Sequence, residues 1–198
     1  GNANSGRGVG SYTKLLVDAL QKYETSYMYS FFTRKQKVPN NVDIVHYPYF
    51  DPFFLTLPLL QTKPRVVTVH DLIPIHFPDK FPRGLRGELK WQIQRRALRT
   101  SKRVIADSYA SKEDIEQYAG IPSLNIDVIH LAAPEQYARV QDKTVLQKVA
   151  NKYRLPKQFL VYVGDVNWNK NIMGLLRAFQ MFSGKNYEWH LVLVGKSF

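Results

Sequence analysis

Runs of apolar, β-branched residues alternate along this chain with stretches of helical spacing. Val66-Val67-Thr68-Val69 and Leu160-Val161-Tyr162-Val163 are apolar at successive positions, as strands covered on both faces should be. The pattern predicts strands over residues 27–33, 42–46, 66–70, 103–107, 126–130, 159–164 and 190–195. Helical spacing predicts helices near residues 9–22, 86–100, 112–118, 145–153 and 170–182. Such alternation is the signature of an α/β protein built on a doubly wound parallel sheet. Pro156, just ahead of a strand, marks a boundary that divides the chain into residues 1–155 and 156–198.

Several predicted strands end in polar, chemistry-bearing residues. His46, His70 and His130 are three of the five histidines, and each closes a predicted strand. Ser108 and Gly164 occupy equivalent positions. Ligands of open parallel sheets bind outside the carboxyl ends of the strands, so these residues outline a shared crevice. His70, followed by Asp71, is the strongest candidate for a proton-carrying or positioning role. The glycines of Gly6-Arg7-Gly8-Val9-Gly10-Ser11-Tyr12 stand at a helix entrance, where free amide groups and the helix dipole suit an anion. Lys170 and Asn171 open a later helix. A lysine there opposes the dipole unless an anion sits with it.

A formal charge of +12 points to an anionic partner: a nucleotide diphosphate, a nucleic acid or an acidic membrane surface. The basic helix from Arg83 to Lys102, with Leu85, Leu89, Ile93 and Ala97 on one stripe and Trp91 off it, is the candidate membrane contact. Nucleic acid is disfavoured because no known reader motif is present. The chain has no cysteine, and neither a metal-ligand cluster nor a Gly-x-Ser-x-Gly elbow. Lack of cysteine fits the cytosol, which with the basic helix predicts a place at the inner face of a membrane. Residue 11 is Ser11 where the dinucleotide fingerprint has its last glycine. Arg34-Lys35, where an acid would bind a ribose, keeps an NADP-dependent oxidoreductase open. A basic anion-binding module also stays open.

The order of motifs resembles glycosyltransferase family 4, the retaining enzymes of GT-B architecture with two facing Rossmann-like domains. The resemblance runs through the glycine loop at Gly6–Tyr12, Asp43-Ile44-Val45-His46, Thr68-Val69-His70-Asp71-Leu72 and Val104 to Lys112. It continues from Tyr162-Val163-Gly164-Asp165 through Lys170-Asn171 to Leu191–Gly195. It implies an acceptor-side first domain and the beginning of a nucleotide-sugar donor domain, with the first strand and much of the second domain lying outside the chain. It also implies transfer of a sugar, of mannosyl type by the Thr-x-His-Asp-Leu form, from a GDP- or UDP-linked donor to a glycan or lipid-linked acceptor. Polysaccharide or glycolipid synthesis would be the setting. By the same resemblance Gly8, Val9, Gly10, Lys170 and Asn171 take the donor diphosphate, and His70 and Asp71 stand at the reacting sugar. Tyr12, His46, Ser108, His130 and Gly164 line the acceptor side of the cleft, and no metal or other cofactor is expected. Two departures matter: Asp165 stands where many members have an arginine, and the Glu-x7-Glu segment that holds the nucleotide ribose is absent from these residues. The expectation is a chain with weak or no turnover by itself.

Overall fold

The computed structural model describes residues 8–33, 36–134, 137–184, 187–195 and 198. Gly6, Arg7, Arg34 and Lys35, which carried part of the glycine-loop and NADP readings, lie outside the described residues. The chain forms two compact units that divide between Pro134 and Glu135. Residues 143–153 therefore group with the second unit, upstream of the boundary read at Pro156.

The first unit opens with α1 (Gly8–Tyr23) and contains a four-stranded, wholly parallel sheet. Its strands β1 (Val45–Tyr47), β2 (Arg65–Val69), β3 (Arg103–Ala106) and β4 (Ile126–Val128) lie side by side in chain order. Between β2 and β3 come a short α2 (Ile73–His76) and α3 (Gly84–Arg99). Between β3 and β4 comes α4 (Tyr109–Asp114), which widens into a π-helical turn over Ile115–Ala119. That turn ends at Gly120, whose positive φ of 71° is a conformation glycine adopts at least cost.

Strand β2 is central, and Arg65, Val67, Thr68 and Val69 on it are buried, which is why its sequence shows no alternation. Val67, Val69, Leu72, Trp91, Leu98, Val104, Ala106, Ile115 and Ile126 form one continuous core. Two buried polar groups are built into it. Gln94 accepts hydrogen bonds from Thr56 Oγ1 and the Leu57 amide and donates to the Leu57 carbonyl, fastening the segment after β1 to α3. The Arg65 guanidinium donates to the carbonyls of Pro58 and Ala97 and to Thr100 Oγ1. It thus sits at the carboxyl end of α3, the end where a helix dipole favours a cation.

Two sequence expectations are corrected here. No strand forms over Tyr27–Thr33; Met28, Tyr27 and Phe31 are exposed, and local bonds occupy the segment's ends instead. Tyr29 Oη donates to the Glu24 carbonyl, and Gln36 Oε1 accepts from the Thr33 amide and hydroxyl. The second correction is the rotation of α3. Its buried side is Trp91, Gln94, Ala97 and Leu98, so Trp91 belongs to the core and not to a membrane contact. Leu85 and Leu89, on the apolar stripe read from the sequence, face solvent. Apolar periodicity misplaced the helix because a fully hydrogen-bonded glutamine can occupy the centre of a buried face.

The second unit contains α5 (Lys143–Tyr153), β5 (Gln158–Val163), α6 (Ile172–Ser183) and β6 (Trp189–Val194). The two strands pair in parallel over six residues. Asp142 caps α5 by accepting from the Thr144 and Val145 amides, and Asn171 caps α6 by accepting from the Gly174 amide. No helix among the described residues is long and apolar enough to cross a membrane.

Candidate active site

The carboxyl ends of β1, β2 and β3 carry the residues that the sequence singled out. Thr68 is buried in β2, and His46 Nε2 lies 2.9 Å from its hydroxyl. Tyr12 of α1 reaches the same hydroxyl at 3.4 Å. The result is a chain of three hydrogen-bonding groups, His46–Thr68–Tyr12, with a tyrosine at one end. Burial pushes the His46 pKa below its ordinary value, so its neutral form is favoured. Burial chiefly pushes the Tyr12 phenol up; the Thr68 bond opposes this, and the nearby Asp107 charge adds to it.

One residue beyond β2, His70 stands at the centre of the cluster. The Tyr12 ring meets it edge to face, with centroids 4.7 Å apart. Its Nδ1 lies 2.6 Å from Asp107 Oδ2, and its Nε2 lies 3.2 Å from the Pro48 carbonyl. Both neighbours are acceptors, so only the doubly protonated ring can donate to both at once. The imidazole therefore bridges the segments that leave β1 and β3. Asp107 Oδ1 is buried with no hydrogen-bond partner among the described residues.

Supporting contacts fix this arrangement. Ser111 Oγ donates to the His70 carbonyl at 2.8 Å, and the Ser108 hydroxyl caps α4 by accepting from the Ser111 amide. His130 Nδ1 lies 3.0 Å from the Asp107 carbonyl, with the Tyr109 ring at 5.7 Å between centroids. Tyr12, His46, His70, Ser108 and His130 thus come together through Thr68, Asp107 and Ser111. Asp71 does not join them: its Oδ1 accepts from the Ile73 amide and opens α2. The carboxylate on His70 is Asp107, 37 positions away in sequence.

A tyrosine–aspartate pair follows Pro48, the residue whose carbonyl meets His70. Tyr49 Oη donates to Asp51 Oδ2 at 2.7 Å. The Tyr49 phenol is pushed far up, first by burial, then by the Asp51 bond and the charges of Asp51 and Asp71. Gly8, Val9 and Gly10 are the first described residues of α1. The concave surface of about 570 Å³ bounded by Gln61, Ser101 and Asn125 belongs to the opposite, amino ends of the strands and holds none of these residues.

In the second unit Gly164 ends β5, with a φ of +156° that side chains rarely adopt. A Cβ on Gly195 would collide with the Gly164 carbonyl, so the two strand ends approach as only glycines allow. Lys170 closes a 3₁₀ turn over Trp168–Lys170 and is exposed. The Asn171 side chain is committed to the α6 cap.

The sequence model of Glycosyltransferase Family 4 matches residues 7–135, more than half of the chain. The serotype-specific mannosyltransferase WbdA of Escherichia coli is 23% identical over 133 residues, covering 66% of this chain and 16% of that protein. A glycosyltransferase of Rickettsia africae is a solved structure with a TM-score of 0.42 and 16% identity, covering 100% of this chain and 54% of that one. The chain therefore spans about a sixth of the curated relative's length and about half of the solved one's.

Proposed function

This chain belongs to glycosyltransferase family 4, and from that premise we propose that it takes part in transferring a sugar from a nucleotide-diphosphate donor to an acceptor hydroxyl, with retention at the anomeric carbon. The observation that carries the reading is the His70 cluster: a histidine held by Asp107 and Pro48, with a tyrosine across its face, at the strand ends where α/β ligands bind. In this reading the bond from the anomeric carbon to the donor phosphate oxygen breaks and a bond to the acceptor oxygen forms. The acceptor's proton passes to the departing phosphate. Negative charge grows on the leaving diphosphate, so fixed amides and cations lower the barrier there. The amides of Gly8, Val9 and Gly10 supply such donors in the first unit. In the second, Lys170 and the α6 amino terminus offer the same chemistry.

His70 acts here as a positioning group with Asp107 behind it, and Tyr12, His46, Ser108 and His130 shape the acceptor side. Asp71 acts through the start of α2 and does not meet His70. The name of the similar Escherichia coli mannosyltransferase supports a mannosyl donor, and the carrier nucleotide of this reading is GDP or UDP. A glycan or lipid-linked alcohol is the acceptor class, and an anionic membrane surface is the partner assigned to α3. The reaction is proposed to run without a protein-held metal.

Calorimetric titration with GDP-mannose, UDP-glucose and NADPH tests the reading. It expects saturable binding of one nucleotide-sugar, weakened about tenfold or more by His70→Ala, the size of one lost positioning contact. Binding of NADPH alone, or of no nucleotide-sugar, overturns it.

A further inference from the structure

Thr68 is inaccessible to solvent in the central strand, between the equally enclosed Val67 and Val69. A valine has nearly the same shape and would fill the position without a hydroxyl, a group whose burial is unfavourable unless it is bonded. The Thr68 hydroxyl has two partners, His46 Nε2 of β1 at 2.9 Å and Tyr12 Oη of α1 at 3.4 Å. Arg65 and Gln94, the other polar side chains buried among the described residues, fasten α3 to the segments around it. Thr68 instead bonds two side chains of the crevice.

The chain of bonds is built from neutral groups, because burial favours the uncharged imidazole and the uncharged phenol alike. Two hydrogen arrangements fit neutral groups at these distances. In one, Tyr12 donates to Thr68, and Thr68 donates to a bare Nε2 of His46. In the other, His46 donates from Nε2 to Thr68, and Thr68 donates to Tyr12. The first puts the more acidic hydroxyl, the phenol, at the donating end and the imidazole nitrogen, the better lone pair, at the accepting end. A hydroxyl that donates to a strong acceptor becomes a better acceptor itself, so the two bonds reinforce each other. The shorter of the two bonds lies where this arrangement has its strongest acceptor.

We infer that Thr68 is a positioning residue of the proposed transfer: its hydroxyl holds His46 in the Nδ1–H tautomer and turns the Tyr12 proton inward, leaving the phenol oxygen to accept a hydrogen bond from a hydroxyl of the acceptor sugar. This deepens the acceptor-side role given to Tyr12 and His46 and rests on it. With its proton committed inside the fold, the phenol offers the crevice a lone pair and takes a donor. A sugar hydroxyl is such a donor, and an ionised phosphate oxygen is not. The Tyr12 side of the crevice thereby selects the neutral, hydroxyl-bearing end of the acceptor. The same bond has a second effect. The Tyr12 ring meets His70 edge to face at 4.7 Å, so holding the phenol also holds that ring against His70. Thr68 acts through Tyr12 and His46 and does not itself meet the substrate.

The test compares Thr68→Val, which keeps the shape and removes the hydroxyl, Thr68→Ser, which keeps the hydroxyl, and Tyr12→Phe, which removes the phenol hydroxyl at a partly exposed position. Circular dichroism checks that each is folded. Nitrogen-15 resonances of the His46 ring report its tautomer, and titration with methyl α-mannoside, the probe for the acceptor end, reports binding. The native chain, Thr68→Ser and Tyr12→Phe should show a protonated Nδ1 and a bare, hydrogen-bonded Nε2, and in Thr68→Val the Nε2 resonance should move. Mannoside binding should weaken about fivefold in Thr68→Val and in Tyr12→Phe, the scale of one neutral hydrogen bond. The double variant should lose no more, and Thr68→Ser should recover most of the loss. A threonine that serves only the core would lower stability and leave both readouts unmoved. A protonated Nε2 in the native chain would overturn the arrangement. Failure of the native chain to bind the mannoside, or binding indifferent to Thr68→Val, would overturn the positioning role. Should Thr68→Val not fold, the native resonances and Tyr12→Phe still decide. GDP-mannose and UDP-glucose are titrated into the native chain alongside: failure of both sinks the transferase reading, while the His46 resonances judge the bonds of Thr68 whatever the nucleotide result.

Discussion

The two units follow the same strand–helix grammar and bury very different amounts of it. In the first, four parallel strands with α3 and the turn after α4 enclose a core in which Val67, Val69, Leu72, Leu98 and Ile115 are inaccessible to solvent. In the second, β5 and β6 are as apolar as β2, yet Ile172 is the one buried hydrophobic residue among those described. Val163 at the end of β5 is 73% exposed. A strand's sequence specifies that it wants both faces covered. Only the number of elements around it decides whether they are, and in the second unit two strands and two helices leave most of that apolar surface exposed. Stability and the hydrogen-bonded crevice accordingly reside together in the first unit.

Substitutions in the two sheets should separate sharply. Leu98→Ala leaves a cavity in the enclosed core and is expected to cost about 2–5 kcal/mol. Val163→Ala, largely in water already, should change stability by no more than roughly 0.5 kcal/mol. Urea unfolding followed by far-ultraviolet circular dichroism measures both, and equal costs would erase the contrast. Next in size is Gln94→Ala, which strands the Leu57 amide and carbonyl and is expected to cost about 1–3 kcal/mol. Hydrogen exchange sharpens the comparison without mutation. Amides of β2 and β3 should exchange only through global opening of the first unit, and those of β5 and β6 through smaller local openings. Matching protection in the two sheets would contradict the account.

The smallest effect concerns acid. Burial lowers the His46 pKa in the folded chain, so near pH 6.5 and below the unfolded chain binds a proton that the folded one resists. Its contribution to stability is complete above the unfolded pKa and lost as pH falls below it. His46→Gln should flatten the stability profile between neutral pH and about pH 5 relative to the native chain. An unchanged slope would mean that His46 is no drier folded than unfolded.

Much of this was legible in the sequence where the signal was local. The strands with apolar residues at successive positions were placed to within a residue or two, and Thr68-Val69-His70 pointed to the strand end where His46, Tyr12 and Asp107 gather. What was not legible depends on distance or rotation. Asp71 is the sequence neighbour of His70, but adjacent residues at a strand's end point apart, and its carboxylate turns back to the Ile73 amide. Asp107 reaches the imidazole because β2 and β3 pair in register, Val69 opposite Ala106, a fact no single segment contains. The face of α3 was misread because Gln94 counts as polar until Thr56 and Leu57 are seen bonded to it.

The most direct test follows the histidine ring resonances of the chain by nuclear magnetic resonance while GDP-mannose or UDP-glucose is added. If the crevice around His70 is the site of sugar transfer, a saturable shift should appear at His70 and His46 while His190 in the second unit moves less. Asp107→Asn should weaken that binding with the fold intact. Saturable binding that leaves His70 and His46 unmoved, or binding indifferent to Asp107→Asn, would contradict the assignment of this crevice.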